Sequence, residues 1–291
     1  MPAPSEPPAC YYFLMTEHEA DTRIRFRWFA RTGPFVLLAA ASLLPSSSAQ
    51  EAKQVSTVSS SSTDATVGKT DALAGGGSPT IIIGFLGGYV SGNSPIRSEV
   101  KMAARLRADY PSGIRVETFA NRDMSGAYNH ILKFISASHQ GKPTDEEKHQ
   151  ARVIVFGHSW GGTATVELAR RLQRVGIPVL LTVQIDSVKH WYVDDSVIPA
   201  NVEKAANFYQ SNGMLRGRAK ISAADPAHTN ILGNFRFDYV KNPVACQGYP
   251  FWDRWFSKTH MEIECDPKVW KEVESLIRSE LQRPTAAAEI H

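Results

Sequence analysis

From Thr80 onward the chain alternates short, nearly continuous apolar runs with longer segments of helical spacing. No other feature constrains the fold as much. Thr80–Leu86 is rich in isoleucine and bounded by glycines, the pattern of a strand buried on both faces. Ile114–Phe119, Arg152–Phe156 and Val179–Ile185 read as three further strands. Helical segments lie between them. One is opened by Ser94-Pro95 as N-cap and first helical residue and runs to about Asp109. Another covers Ser125–Ser138, and a third covers Gly161–Val175, closed by Gly176. Pro199–Tyr209 reads as helical, Arg218–Ser222 and Phe235–Tyr239 as weaker strands, and Pro267–Leu281 as a last helix capped by Asp266. Strands alternating with helices of this length predict an α/β fold: a doubly wound, mostly parallel sheet with helices on both faces. The expected domain spans residues 79–284, with a short tail over 285–291.

The first quarter is a different kind of sequence. Arg23, Arg25, Arg27 and Arg31 precede an apolar run from Pro34 to Leu44, and Pro45 and Ser46-Ser47-Ser48-Ala49 follow. That is the order of a secretory leader, with cleavage expected after Ala49. The apolar run is about half the roughly 20 residues needed to span a bilayer. Met15 would give a leader of more usual length than Met1, so it is the expected start. Residues 50–78 are Ser/Thr/Ala/Gly-rich with no apolar period, as in a flexible linker. The expected location is therefore secreted or periplasmic. Of three cysteines, Cys10 leaves with the leader. Cys246 and Cys265 are then a candidate disulfide in an oxidising compartment, the alternative being two free buried thiols. The 32 basic and 29 acidic residues are well mixed and leave a net charge of +3, with no basic stripe to suggest nucleic acid.

Gly157-His158-Ser159-Trp160-Gly161 falls between the strand Arg152–Phe156 and the helix from Gly161. A sharp strand-to-helix turn needs small neighbours on both sides, which Gly157, Gly161 and Gly162 provide. It lifts the serine hydroxyl above the sheet edge at the positive end of the following helix. Strand, Gly-His-Ser-Trp-Gly and helix together resemble the nucleophile elbow of the α/β-hydrolase family, and the Gly-His-Ser-x-Gly form resembles its lipases and esterases. The resemblance covers residues 79–283. In it His158 belongs to the elbow pattern and packs structurally, pointing away from Ser159.

The resemblance implies a base and an orienting acid in the chain order Ser, Asp/Glu, His. Among the downstream histidines, His260 lies shortly before the last helix, where the family's base is expected. His190 falls too early, His228 sits in a polar loop and His291 is terminal. Glu262 and Glu264 alternate with His260 and suggest a short strand there. No second histidine has metal-ligand spacing, which disfavours a metal cluster there, and the resemblance implies a reaction that needs no metal or other cofactor. Asp186, which ends the strand Val179–Ile185, is the preferred acid, and Asp225 is the alternative one strand later. Asp194 and Asp195 are read as solvated. The oxyanion is assigned to the backbone N–H of Trp160 and of Gly88, with Gly87 and Phe85 as alternatives for the second.

Two aromatic groups stand beside these residues. Trp191 and Tyr192 follow the acid strand, and Tyr249, Phe251, Trp252, Trp255 and Phe256 approach His260. Either would suit an acyl pocket or a transient contact with a lipid interface, and ordinary core packing is the alternative for the second. The reading is an exported serine hydrolase acting on a small-molecule or lipid ester through an acyl-enzyme. A thioesterase, a peptidase or a non-catalytic binding module on the same scaffold are the alternatives.

Overall fold

A computed structural model of the chain describes residues 79–136, 141–189, 193–249, 251 and 257–283. The leader and linker read in residues 1–78, the tail 285–291, His190, His291, Trp191, Tyr192, Trp252, Trp255 and Phe256 lie outside the described residues. Tyr249 is buried and Phe251 is exposed.

Six strands form one parallel sheet: β1 (Thr80–Leu86), β2 (Ile114–Ala120), β3 (Arg152–His158), β4 (Val179–Ile185), β6 (Val202–Gln210) and β8 (Asn230–Phe237). Their spatial order is β2-β1-β3-β4-β6-β8. Two-residue strands β5 (Val197–Ile198) and β7 (Ser222–Ala223) pair separately. The helices are α1 (Ser98–Asp109), α2 (Met124–Ile135), α3 (Asp145–Gln150), α4 (Trp160–Gln173), α5 (Lys258–Cys265) and α6 (Pro267–Gln282). Among the described residues no helix is long and apolar enough to cross a membrane.

The two-residue period of β1 explains the layering. Ile81, Ile83 and Phe85 enter a core with Ala127 and Ile131 of α2 and Val166 and Leu172 of α4. Ile82 enters the opposite core with Met102 and Leu106 of α1 and Val269, Val273 and Ile277 of α6. Both faces of the sheet are thus covered, as its apolar strands require. This is a doubly wound α/β arrangement. The chain leaves β1 towards β2 on one side and returns through β3 to the other. The crevice at the carboxyl ends of β1 and β3 is therefore the switch point where such sheets place ligands.

Several expectations need correction. Pro199–Tyr209 is not a helix: Val202–Gln210 is strand β6, hydrogen-bonded between β4 and β8. Its Glu, Lys and Ala content favours helix, but Val202, Ala205, Ala206 and Phe208 are buried in the sheet, and that burial overrides the weak local preference. The expected strand around Glu262 and Glu264 is helix α5, whose Lys258 and Glu262 pair one turn apart at 2.7 Å. Asp195 is not solvated. It is fully buried and accepts from Arg218 Nε at 2.8 Å and from Thr163 at 3.2 Å. Asp194 is exposed, as expected. Helix α1 starts at Ser98, after a turn in which Arg97 N donates to Ser94 O at 3.2 Å. The segment Arg218–Ser222 forms a strand only from Ser222.

Candidate active site

Ser159 sits between β3 and α4 with φ 57° and ψ −124°. Among the described residues only Ser159 and Asp186 (φ 44°) combine a side chain with positive φ. Such backbone strain costs on the order of 1–3 kcal/mol per residue and persists where the surrounding fold imposes it. Here the imposition is visible. Ser159 N donates to Ile185 O at 2.9 Å, and Asp186 N donates to Phe208 O at 2.7 Å. A Cβ on Gly161 would fall on the Phe85 carbonyl, its carbon 2.7 Å away, and one on Gly157 would collide with the Gly161 carbonyl. The glycines let α4 press against β1, and that contact holds the serine in its strained turn.

Three side chains, two from just beyond the ends of β3 and β4 and one from α5, meet above the sheet. His260 Nε2 lies 2.9 Å from Ser159 Oγ, and His260 Nδ1 lies 2.6 Å from Asp186 Oδ2. All three residues are buried. Asp186 also accepts Gln210 N on Oδ1 at 3.0 Å and Gln210 Nε2 on Oδ2 at 2.9 Å. The carboxylate is thereby satisfied at both oxygens, and one of them is aimed at the imidazole. Asp225 is placed elsewhere: it is surface-exposed and paired with His228 Nδ1 at 2.7 Å. That bond and the Ala227 N–H hold its carboxyl below the usual range, the Ala227 bond contributing most.

Trp160 heads α4, so its backbone N–H is in the first turn, at the positive end of the helix dipole. Gly88 (φ 64°) follows β1, and its carbonyl accepts from Asn121 Nδ2 at 2.6 Å. The same Asn121 amide donates to Leu86 O at 2.9 Å, which fixes the loop from both ends. A Cβ on Gly87 would lie 2.8 Å from Ser159 Cβ, so this loop runs directly against the serine. Gly87, Gly88, Ser159, Trp160, His260, Val188, Leu215 and Met261 border a largely apolar cavity of about 220 Å³. A larger cleft of about 880 Å³ between α1 and α6 contains none of the chemistry, and the Arg105–Glu274 ion pair borders it.

His158 is buried, as its elbow position suggested, but its surroundings are polar. Its ring stacks on His260, centroids 4.6 Å apart and planes at 30°. Behind it lie Glu264, Glu99 and Arg97, all buried. Burial, and then His260 and Arg97, hold His158 well below its ordinary range. Burial and the neighbouring Glu264 push Glu99 up to about 8. Burial raises Glu264 too, against Arg97 and Tyr249, which favour its ionised form. Glu99, His158 and Glu264 bring ligand-type atoms within 4.8 Å of one another, although Arg97 Nη1 already donates to Glu264 at 2.6 Å.

Cys246 and Cys265 form a disulfide with Cα atoms 5.4 Å apart. Cys265 is the last residue of α5, the helix that carries His260. Gln210, Asn121, Arg97 and Glu99 were not singled out in the sequence, and Glu264 was read only as part of a short strand. A polar residue ending the strand beside Asp186 was the available signal for Gln210, and reading β6 as a helix hid it.

No protein-family model matches the chain, and no curated protein matches it. Among solved structures it is similar to a dienelactone hydrolase-like promiscuous phosphotriesterase from metagenomic libraries. The TM-score is 0.32 at 14% identity, over 70% of this chain and 87% of that one.

Proposed function

We propose that the chain is a serine hydrolase that cleaves carboxylic esters through an acyl-enzyme. The observation that carries this reading is the contiguous line Ser159 Oγ, His260 Nε2, His260 Nδ1, Asp186 Oδ2, with spacings of 2.9 and 2.6 Å, set on a strained turn at the switch point of the sheet. In the reaction Ser159 Oγ attacks the acyl carbon while His260 Nε2 takes its proton. Asp186 holds Nδ1–H in the tautomer that leaves Nε2 free to accept, and it stabilises the imidazolium once formed. The N–H groups of Trp160 and Gly88 bind the oxyanion. His260 then returns the proton to the departing alcohol. Water, activated by the same imidazole, releases the acid. No step calls for a metal or an organic cofactor.

Val188, Leu215 and Met261 give the cavity an apolar side, Arg97 and His158 also border it, and its volume of about 220 Å³ supports a compact acyl group. The disulfide together with the leader-like N-terminal sequence supports an exported enzyme, where esters are commoner substrates than coenzyme A thioesters. A labelled fluorophosphonate should react with the chain and not with Ser159→Ala. A series of nitrophenyl esters of increasing acyl length should then show turnover falling beyond short chains. No labelling would move the chain to the binding-module class. A sharp preference for long chains would favour a lipase working at a lipid interface.

A further inference from the structure

Behind the His260 ring lies a buried polar set that the acyl-transfer scheme leaves unused. Glu264 is one helical turn beyond His260 on α5, and its Oε2 lies 3.4 Å from Nδ1 of His158, the ring stacked on His260. Two other segments hold the Glu264 carboxylate. Arg97 Nη1, at the start of α1, donates to Oε2 at 2.6 Å, and the Tyr249 hydroxyl donates to Oε1 at 2.9 Å. The Arg97 guanidinium in turn lies over the Tyr249 ring, 5.2 Å from its centroid. A guanidinium and a phenol donating to a carboxyl favour its anion, and here they work against the burial that raises Glu264.

We propose that Glu264 is a positioning residue for His260: its carboxylate, held by Arg97 and Tyr249 and reaching His260 through the stacked ring of His158, stabilises the imidazolium formed when Ser159 gives up its proton. The chemical purpose rests on the ester-hydrolase reading, but the electrostatic coupling exists with or without turnover. A charged His260 favours ionised Glu264, and by reciprocity ionised Glu264 favours charged His260. His158, kept neutral by its burial, fills the gap with a polarisable ring instead of a competing cation.

Other charged and titratable groups surround His260 and its stacking partner. They are Asp186 from β4, Arg97 and Glu99 from the start of α1, Tyr249 from the segment before α5, and Lys258 and Glu262 on α5. Lys258 is neutralised by Glu262, and Arg97 partly offsets Glu264. Asp186 remains the direct partner of His260, and Glu264 adds to it from the side.

The test is a titration of the histidine side chains by carbon-detected NMR in the full chain, with the His260 signal assigned by its loss in His260→Gln. Glu264→Gln should lower the His260 pKa by about half to one unit, the size expected for removing one charge a few ångströms beyond a ring. Tyr249→Phe deletes a hydrogen bond but keeps the carboxylate, so it should move His260 far less. In ester turnover the acid limb of kcat/KM should move to lower pH by the same amount in Glu264→Gln, with kcat reduced and KM nearly constant. A folded Glu264→Gln whose His260 titration is unmoved overturns the proposal. If that variant does not fold, Glu264→Asp replaces it. It keeps the charge but withdraws it by one methylene from His158, so the His260 pKa should fall by a smaller amount, and an unmoved or raised value overturns the proposal. Stoichiometric zinc retained by the purified chain and lost in Glu99→Gln also overturns it, since a dication there would oppose the imidazolium. Failure of Ser159 to label would sink the hydrolase reading while leaving the titration fully readable.

Discussion

Two aspartates competed in the sequence for one proposed role, and the structure gives them different surroundings. Asp186 is fully buried, meets His260 Nδ1 at 2.6 Å and takes two donors from Gln210. Asp225 is exposed and already paired with His228. Asp186→Asn keeps the shape but can hold the imidazole in the wrong tautomer, which should lower kcat by about 10³- to 10⁴-fold. Asp225→Asn should leave kcat within a factor of two of wild type, an effect of the size expected for a surface substitution. Equal losses in the two variants, measured with one nitrophenyl ester, would remove Asp186 from its assigned role. At this scale the sequence pointed to the three side chains that meet and hid their supports. Ser159, Asp186 and His260 are marked by an elbow motif, a strand end and a position before a helix. The local pattern around Gln210, Asn121 and Glu264 does not reveal their roles, because each depends on a partner 24, 33 and 167 residues away.

Elements were legible where burial and local preference agreed. β1, β3 and β4 are apolar on both faces, and α6 carries both a capping Asp266 that accepts Lys268 N at 2.9 Å and Pro267 at its start. They were not legible where the two disagreed. β6 is a strand written in Glu, Lys, Ala and Asn because its polar side chains find partners inside the fold: Asn207 donates to Arg218 O at 2.8 Å, and Gln210 donates to Asp186. α5 hid because an eight-residue helix gives little periodicity to read. The contact between α4 and β1 shows how much one element pair controls. Gly161→Ala puts a methyl group onto the Phe85 carbonyl, and one backbone segment must shift to admit it. The expected cost is at least about 1–3 kcal/mol of stability. Because α4 would be lifted from the sheet, fluorophosphonate labelling of Ser159 should fall well beyond what the stability loss explains. A variant that melts lower but labels at the wild-type rate would show that the elbow tolerates the displacement.

At the scale of the whole molecule, two long-range devices tie the histidine helix to the rest of the domain. The first is covalent. Cys246–Cys265 closes a loop of 19 residues around His260, worth about 3 kcal/mol through the entropy of the unfolded chain. Reduction should lower both the melting temperature and the activity, and activity should fall at temperatures where the sheet is still folded. Full activity after complete reduction would show that α5 is held by packing alone. The second is the buried charge set beneath His260, where two groups pull stability in opposite directions with pH. The folded pKa of His158 is well below its ordinary 6.5, so its contribution is present above that value and is lost as pH falls. For Glu99 the sign is the reverse. Burial and Glu264 raise it from 4.5 to about 8, so between those values the folded chain keeps a proton that the unfolded chain has released. Unfolding then releases a proton, and stability falls as pH rises through the window, by at most about 1.4 kcal/mol per unit. Glu99→Gln carries no titrating group and escapes this loss. Its melting temperature relative to wild type should therefore climb steadily between pH 5 and pH 8, while the His158 contribution, common to both proteins, cancels. A difference that is flat across that range would mean Glu99 is already ionised in the folded chain. The charge beneath His260 would then be one unit more negative than the hydrogen bonds of Arg97 and Tyr249 alone imply.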